Sequence, residues 1–314
     1  TTGHASTLAG LLFLRFVFGL CEGPYAGSCY RAIAEYFPRE LRAAYTTGIL
    51  SSNYIGSALA PIVIVPLILW FGWRGMFQVL GVVGLVYVFF YALFVKQSKP
   101  KEETSGDKVS KTKYFLRLMK YSMIWKLVLC AFCVSCINKG LDAWMPTYLI
   151  AERGINLKAV GYLTPIPFMA SFLSAAVCGW FMNKYFDKKE HYMVAICAAM
   201  TAIFLYFMYN AETIMWVVIF QCGVYFFKAC ILGAAVAIVL KIVTGKIAGS
   251  ASTLINMGGQ VAGFISPVIM GYLVHAFNGS FNAVFYFLMG MATLCAISAL
   301  LIPKRTEDVL DLDE

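Results

Sequence analysis

Charge is scarce in this chain. Asp, Glu, Lys and Arg make up 13% of its 314 residues, too few to cover the surface of a folded domain of that length in water. That shortage excludes an ordinary soluble protein. Histidine is nearly missing, and His4, His191 and His275 stand far apart without metal-ligand spacing, so no metal centre is expected. A phosphate-binding glycine loop, a nucleophile elbow and a paired-acid motif are all lacking, which removes the common enzyme classes; no cofactor is expected. Cysteine is present, yet its ten copies are scattered through apolar runs rather than framing a small secreted fold. Cys130, Cys133 and Cys136 form a CxxCxxC stripe with no fourth ligand nearby, and read as small apolar residues on one helix.

What the chain has in excess is hydrophobic residues, at 61%, with a mean hydropathy of +0.75. They gather in nine long stretches: Leu8 to Ala34, Thr46 to Trp70, Met76 to Val95, Ile124 to Tyr148, Val160 to Met182, His191 to Tyr209, Thr213 to Val239, Ser250 to Ala276 and Phe281 to Ile302. Most reach the roughly 20 residues that a helix needs to cross about 30 Å of hydrocarbon. The expectation is an all-α polytopic membrane protein with nine transmembrane helices, the lipid bilayer being its first partner.

The net charge of +9 does not point to nucleic acid, because the basic residues sit in short connections at the ends of apolar runs. Nineteen of the 25 Lys and Arg fall on alternate connections, while the others hold Arg74, Arg153 and Lys158; Arg15, Lys139 and Lys228 lie inside the stretches. The richer side is expected to be cytoplasmic, together with the acidic tail Glu307 to Glu314. Thr1 then falls outside the cell, and the sequence starts without an initiator Met or a cationic leader. A longer natural chain, with further helices ahead of Thr1, is therefore expected.

One long hydrophilic stretch, about Lys96 to Lys120, divides the chain into three helices before it and six after. The expected organisation is 1–97 as part of an N-terminal bundle, 98–123 as a cytoplasmic linker, 124–303 as a six-helix bundle and 304–314 as a cytoplasmic tail. The halves share a faint pattern. Ser51 to Pro61 (SSNYIGSALAP) leads to Gly72, and Asn256 to Pro267 (NMGGQVAGFISP) leads to Gly279, each followed by a Phe-rich run. Parallel repeats of this kind mark transporters built from two bundles.

Several segments make the pattern specific: LRFVFGLCEGP (Leu14 to Pro24), AEYFPRELRAA (Ala34 to Ala44), GWRGMF (Gly72 to Phe77), AWMPTYLIAERGI (Ala143 to Ile155) and AGSASTLINMGGQVAGFISPVIMGYL (Ala248 to Leu273). In this order they resemble the later helices of the major facilitator superfamily, particularly its anion:cation symporter family of sugar-acid and organic-anion permeases. The resemblance implies that fold without its first two helices and most of the third. It departs from the family in GWFMNKYFDKK (Gly179 to Lys189), where Asn183 stands in place of a usual Asp.

Polar groups inside the stretches mark candidate site residues, since an ionisable side chain in hydrocarbon costs several kcal/mol unless it meets a partner or water. Glu22 lies beside Gly19, Gly23 and Pro24, where an acid could take up and release a proton; permanent pairing to a cation is the other reading. Arg15 sits two turns earlier, about 10 Å away along the helix. The resemblance implies that Glu22 is the proton acceptor and Arg15 its coupling partner, bonded to an acid on a helix not in this sequence. It also implies substrate contacts for Asn53 and Asn256. Gln260 shares a helical face with Asn256, four positions on. Helix packing remains open for these amides.

Lys139 and Lys228 lie deep in their stretches and give any central cavity positive potential, which favours a carboxylate. Asp142 is within helical reach of Lys139, whereas Lys228 has no acid near it in sequence, which favours Lys228 as the anchor. Snorkelling or pairing with another helix is the alternative. Tyr54, Trp144, Tyr148 and Tyr225 either shape the cavity or anchor span ends at the membrane interface. Arg31 and Glu35 are expected to pair at the cytoplasmic end of the first stretch.

The resulting expectation is a non-enzymatic secondary transporter that couples proton entry to uptake of a small organic anion, a sugar acid or other carboxylate, by alternating access. A bacterial inner membrane is the expected location. An exchanger or uniporter, or a ligand sensor of the same fold, is the alternative.

Overall fold

The computed structural model of the protein describes residues 2–23, 28–29, 39–94, 119, 121–186, 189–242 and 248–302. All regular structure among them is helical. The Arg31–Glu35 pair, most of the hydrophilic stretch and the acidic tail lie outside the described residues. The chain divides into two compact units, Thr1–Glu102 and Glu103–Glu314.

The first unit opens with a 3-10 turn, Thr2–His4, and helix α1, Leu8–Glu22. Thr7 sets the start of α1: its backbone is extended and its hydroxyl accepts the Gly10 N–H at 3.1 Å. Helix α2, Arg39–Phe94, runs for 56 residues, a length that would span about 84 Å if straight. Gly72 interrupts it. With φ 68° and ψ 172°, Gly72 occupies a region that only glycine adopts without strain, so the element is two helical arms meeting at one residue. The stretches expected at Thr46–Trp70 and Met76–Val95 are these arms. The loop expected between them is compressed to a glycine break, which the opening turn covers: Arg74 donates to the Ala5 carbonyl at 3.3 Å.

The second unit comprises α3 (Ser122–Ala151), α4 (Leu157–Leu163), α5 (Pro165–Tyr185), α6 (Glu190–Tyr209), α7 (Ile214–Ile242), α8 (Ala248–Ala276) and α9 (Asn282–Leu300). Helix α3 is its axis. Its lower half packs Leu127, Cys133 and Val134 against Ala198, Ile231 and Cys295. Its upper half packs Ile137, Leu141 and Leu149 against Leu205, Val224 and Leu288. The run expected at Val160 to Met182 begins as the separate α4, capped by Asn156, and resumes at Pro165, which needs no N–H at a helix start.

Apolar side chains gain little from leaving lipid tails, so close approach and interhelical hydrogen bonds must tie such a bundle together. Small residues provide both along the α3–α8 seam. Gly140 lies against Met270 and Ser266, and the Ser266 hydroxyl donates to the Cys136 carbonyl at 2.7 Å. Trp144 donates its indole N–H to the Pro267 carbonyl at 3.1 Å. Ser174 on α5 likewise donates to the Phe226 carbonyl of α7 at 2.6 Å. Among the described residues, six helical segments are long and apolar enough to cross a membrane, the 43-residue Ser52–Phe94 holding most of both α2 arms. The cysteine stripe is buried; Cys130 and Cys295 exchange S–H to carbonyl contacts at 3.8 Å.

Candidate functional site

The first unit carries four of the expected site residues. Arg15 is exposed on α1, its guanidinium carbon 4.9 Å from the centroid of Phe77 on the second arm of α2. Stacking on an aromatic face holds such a cation at a fixed height without neutralising it. Glu22 ends α1 and is exposed; the next N–H, of Gly23, still bonds to the Gly19 carbonyl at 3.0 Å. Among the described residues neither Arg15 nor Glu22 has a side-chain hydrogen bond or ion pair. Asn53 is exposed on the first arm of α2, with Tyr54 half-buried beside it.

The second unit holds a charged cluster built from three helices. Lys228 on α7 is 2% exposed, and its ammonium lies 3.3 Å from Oδ1 of Asp142 on α3. Tyr225, one turn before Lys228, donates its hydroxyl to the same Oδ1 at 2.7 Å. The Lys228 ammonium also lies 3.2 Å from the centroid of the Tyr225 ring. One aspartate oxygen thus receives both an ammonium and a phenol, and a π face backs the cation. A buried ion pair is tolerated when its geometry is good and further hydrogen bonds complete it, and this cluster supplies both.

Tyr225 is itself held from a third helix. Ser171 on α5 donates to the Tyr225 backbone carbonyl at 2.9 Å, and Phe168 meets the Tyr225 ring edge-on at 5.2 Å. Asp142 is less enclosed, with 29% of its side chain exposed. Lys139, one turn before Asp142 on α3, is exposed, and its stem runs over Gly263 of α8. A Cβ at 263 would stand 3.3 Å from Lys139 Cγ, tight enough that the lysine would have to yield. Gln260 and Asn256 follow on the same side of α8, one and two turns before Gly263, and both are exposed.

Sequence spacing pairs Asp142 with Lys139; the structure gives Asp142 to Lys228 instead, across two helices. The partner that Lys228 lacks in its own segment is therefore supplied by α3. The role of Tyr225 was the least legible, because its hydroxyl finds Asp142 across 83 positions of sequence. Its three-residue spacing from Lys228 was the available signal. Tyr148 and Trp144 lie in the apolar core of this unit, Tyr148 accepting from Arg153 at 2.8 Å.

Comparison with known proteins bears on family and fold. The Major Facilitator Superfamily profile matches residues 2–227. A probable sulfoacetate transporter of Cupriavidus necator is 28% identical, the alignment covering 99% of this chain and 76% of that protein. A probable galactarate/D-glucarate transporter of Bacillus subtilis is 26% identical over 95% of this chain and 71% of that one. The crystal structure of a D-xylose-proton symporter matches with a TM-score of 0.73 at 17% identity, covering 95% of this chain and 72% of that one. At that identity the likeness concerns the fold alone.

Proposed function

Because the chain belongs to the Major Facilitator Superfamily, we propose that it serves proton-coupled uptake of a small organic anion, a sugar acid or other carboxylate, by alternating access. The observation that carries this reading is the cationic cluster of the second unit. Two lysines and one aspartate lie within the apolar runs of α3 and α7, and cations are retained in hydrocarbon where an anion has to be met. The names of the relatives support it, since sulfoacetate, galactarate and D-glucarate are all acids.

Lys228 and Lys139 bind the carboxylate in this scheme, and Asn256 and Gln260 offer amides for the remainder of the cargo. In the first unit Glu22 carries the proton, Arg15 biases its charge, and Asn53 and Tyr54 contact substrate. The protein sits in the inner membrane of a bacterium with its C-terminus in the cytoplasm, where the excess of Lys and Arg would face.

The test is uptake by vesicles containing the full-length protein. Radiolabelled D-glucarate, D-gluconate, D-glucuronate and sulfoacetate are compared with D-glucose under an inward proton gradient. Accumulation of one or more acids above equilibrium, abolished by a protonophore, is the expected result. Accumulation that ignores the gradient but follows an internal acid points to an exchanger. Absence of saturable uptake with intact ligand binding points to a sensor.

A further inference from the structure

Among the described residues, charge in the cluster of the second unit does not balance. Lys139 and Lys228 contribute two positive charges and Asp142 one negative, and the three occupy neighbouring positions on α3 and α7. The cluster is short of one anion. A single carboxylate would neutralise it, and a second acidic group on the same cargo would have to find its cation elsewhere.

Asp142 already shows how a carboxylate oxygen is received. Its Oδ1 takes the Tyr225 hydroxyl at 2.7 Å and the Lys228 ammonium at 3.3 Å. Lys228 is closed off, at 2% exposure against 29% for Asp142, so of the pair the aspartate is the one a solute meets first. The aspartate has an alternative partner one turn back on its own helix, the exposed Lys139, whose stem is confined over Gly263.

We propose that Asp142 is an internal surrogate for the cargo's carboxylate. When the anion arrives it takes Asp142's place on Lys228 and Tyr225, and Asp142 turns to Lys139. Among the described residues, one ion pair and one free cation become two ion pairs, so the exchange adds no stranded charge. Asp142 is thus a positioning residue that sets affinity: it occupies the anchor in the unloaded protein and lowers apparent affinity by the fraction of time it does so. The inference rests on the organic-anion reading and adds the residue that competes with the cargo.

The experiment is ligand binding to the full-length protein, using the tightest-bound acid among D-gluconate, D-glucarate, D-glucuronate and sulfoacetate. Asp142→Asn keeps an acceptor for Tyr225 but removes the competing charge. Its dissociation constant is expected to fall about tenfold, the value for an anchor free one-tenth of the time. Its ligand-induced rise in melting temperature should exceed that of the wild type. Lys139→Gln, which takes away the alternative partner, is expected to bind about tenfold more weakly. Loss of a nearby negative charge tightens anion binding in any scheme, so the exchange of partners is read from the two variants together: an unchanged or weakened Asp142→Asn, or a Lys139→Gln that binds as the wild type does, overturns the proposal.

Should that variant fail to fold, Asp142→Asn with Lys228→Gln removes both charges of the pair. It should remain folded and lose binding, and a wild-type constant there overturns the proposal equally. Wild-type protein that binds none of the four acids overturns the organic-anion reading itself. Wild-type binding with no response at Asp142 overturns the inference alone.

Discussion

Asp142 and Lys228, 86 positions apart in the chain, meet at 3.3 Å across α3 and α7, and each makes the other's position tenable. The two are unequally dependent. Lys228 is almost sealed, whereas Asp142 keeps an edge open, so losing the aspartate strands a buried charge and losing the lysine does not.

Asp142→Ala should therefore destabilise the protein by about 3 kcal/mol, the usual cost of leaving a buried charge unpaired, and Lys228→Met by clearly less. Unfolding in mixed micelles followed by intrinsic fluorescence reads the difference. Equal losses would mean that the pair is symmetric and that Lys228 has other support.

Lys228→Met should still raise the half-saturating concentration of the transported acid by tenfold or more, because the methionine fills the space without the charge (roughly 1.4 kcal/mol per factor of ten). Initial uptake rates against acid concentration measure this. An unchanged value would move the anchor to another cation, Arg15 being the first to examine.

Tyr225→Phe keeps the ring beneath the ammonium and deletes the hydroxyl that reaches Asp142 at 2.7 Å. A hydrogen bond to a charged acceptor contributes about 1.5 to 3 kcal/mol, so a loss of that order is expected in the same unfolding assay. Wild-type stability would show that Asp142 is held by Lys228 alone.

Gly72→Ala places a Cβ on a backbone at φ 68° and ψ 172°, a conformation worth about 1 to 3 kcal/mol of strain in other residues. A lowered melting temperature with unchanged ligand affinity is the expected outcome. Full stability would mean that the two arms of α2 can join without the break.

These residues also show where sequence and structure part. Helical class and membrane character follow directly from the length and purity of the apolar runs, because an unbroken apolar run of about 20 residues crosses hydrocarbon as a helix, whereas barrel strands are shorter and alternate. The two repeat segments were legible in a finer way: each leads to a glycine, and both Gly72 and Gly279 adopt positive φ, at 68° and 87°. Single-residue breaks were not legible. Gly72 joins two arms where the composition around it suggested a loop, and Thr164–Pro165 divides a run that looked continuous. In the site, helical spacing correctly set Lys139 and Asp142 on one face but could not say which lysine Asp142 would take. That choice depends on how α3 and α7 pack, and a buried ammonium outbids an exposed one for a nearby carboxylate because water already serves the latter.

Glu22→Gln tests the coupling claim most directly. Full-length wild-type and variant protein in liposomes are given an inward proton gradient and a labelled acid that the wild type transports. The wild type should accumulate the acid above equilibrium, while Glu22→Gln should only equilibrate it and still exchange internal for external label. Uphill accumulation by the variant at the wild-type level would contradict the account.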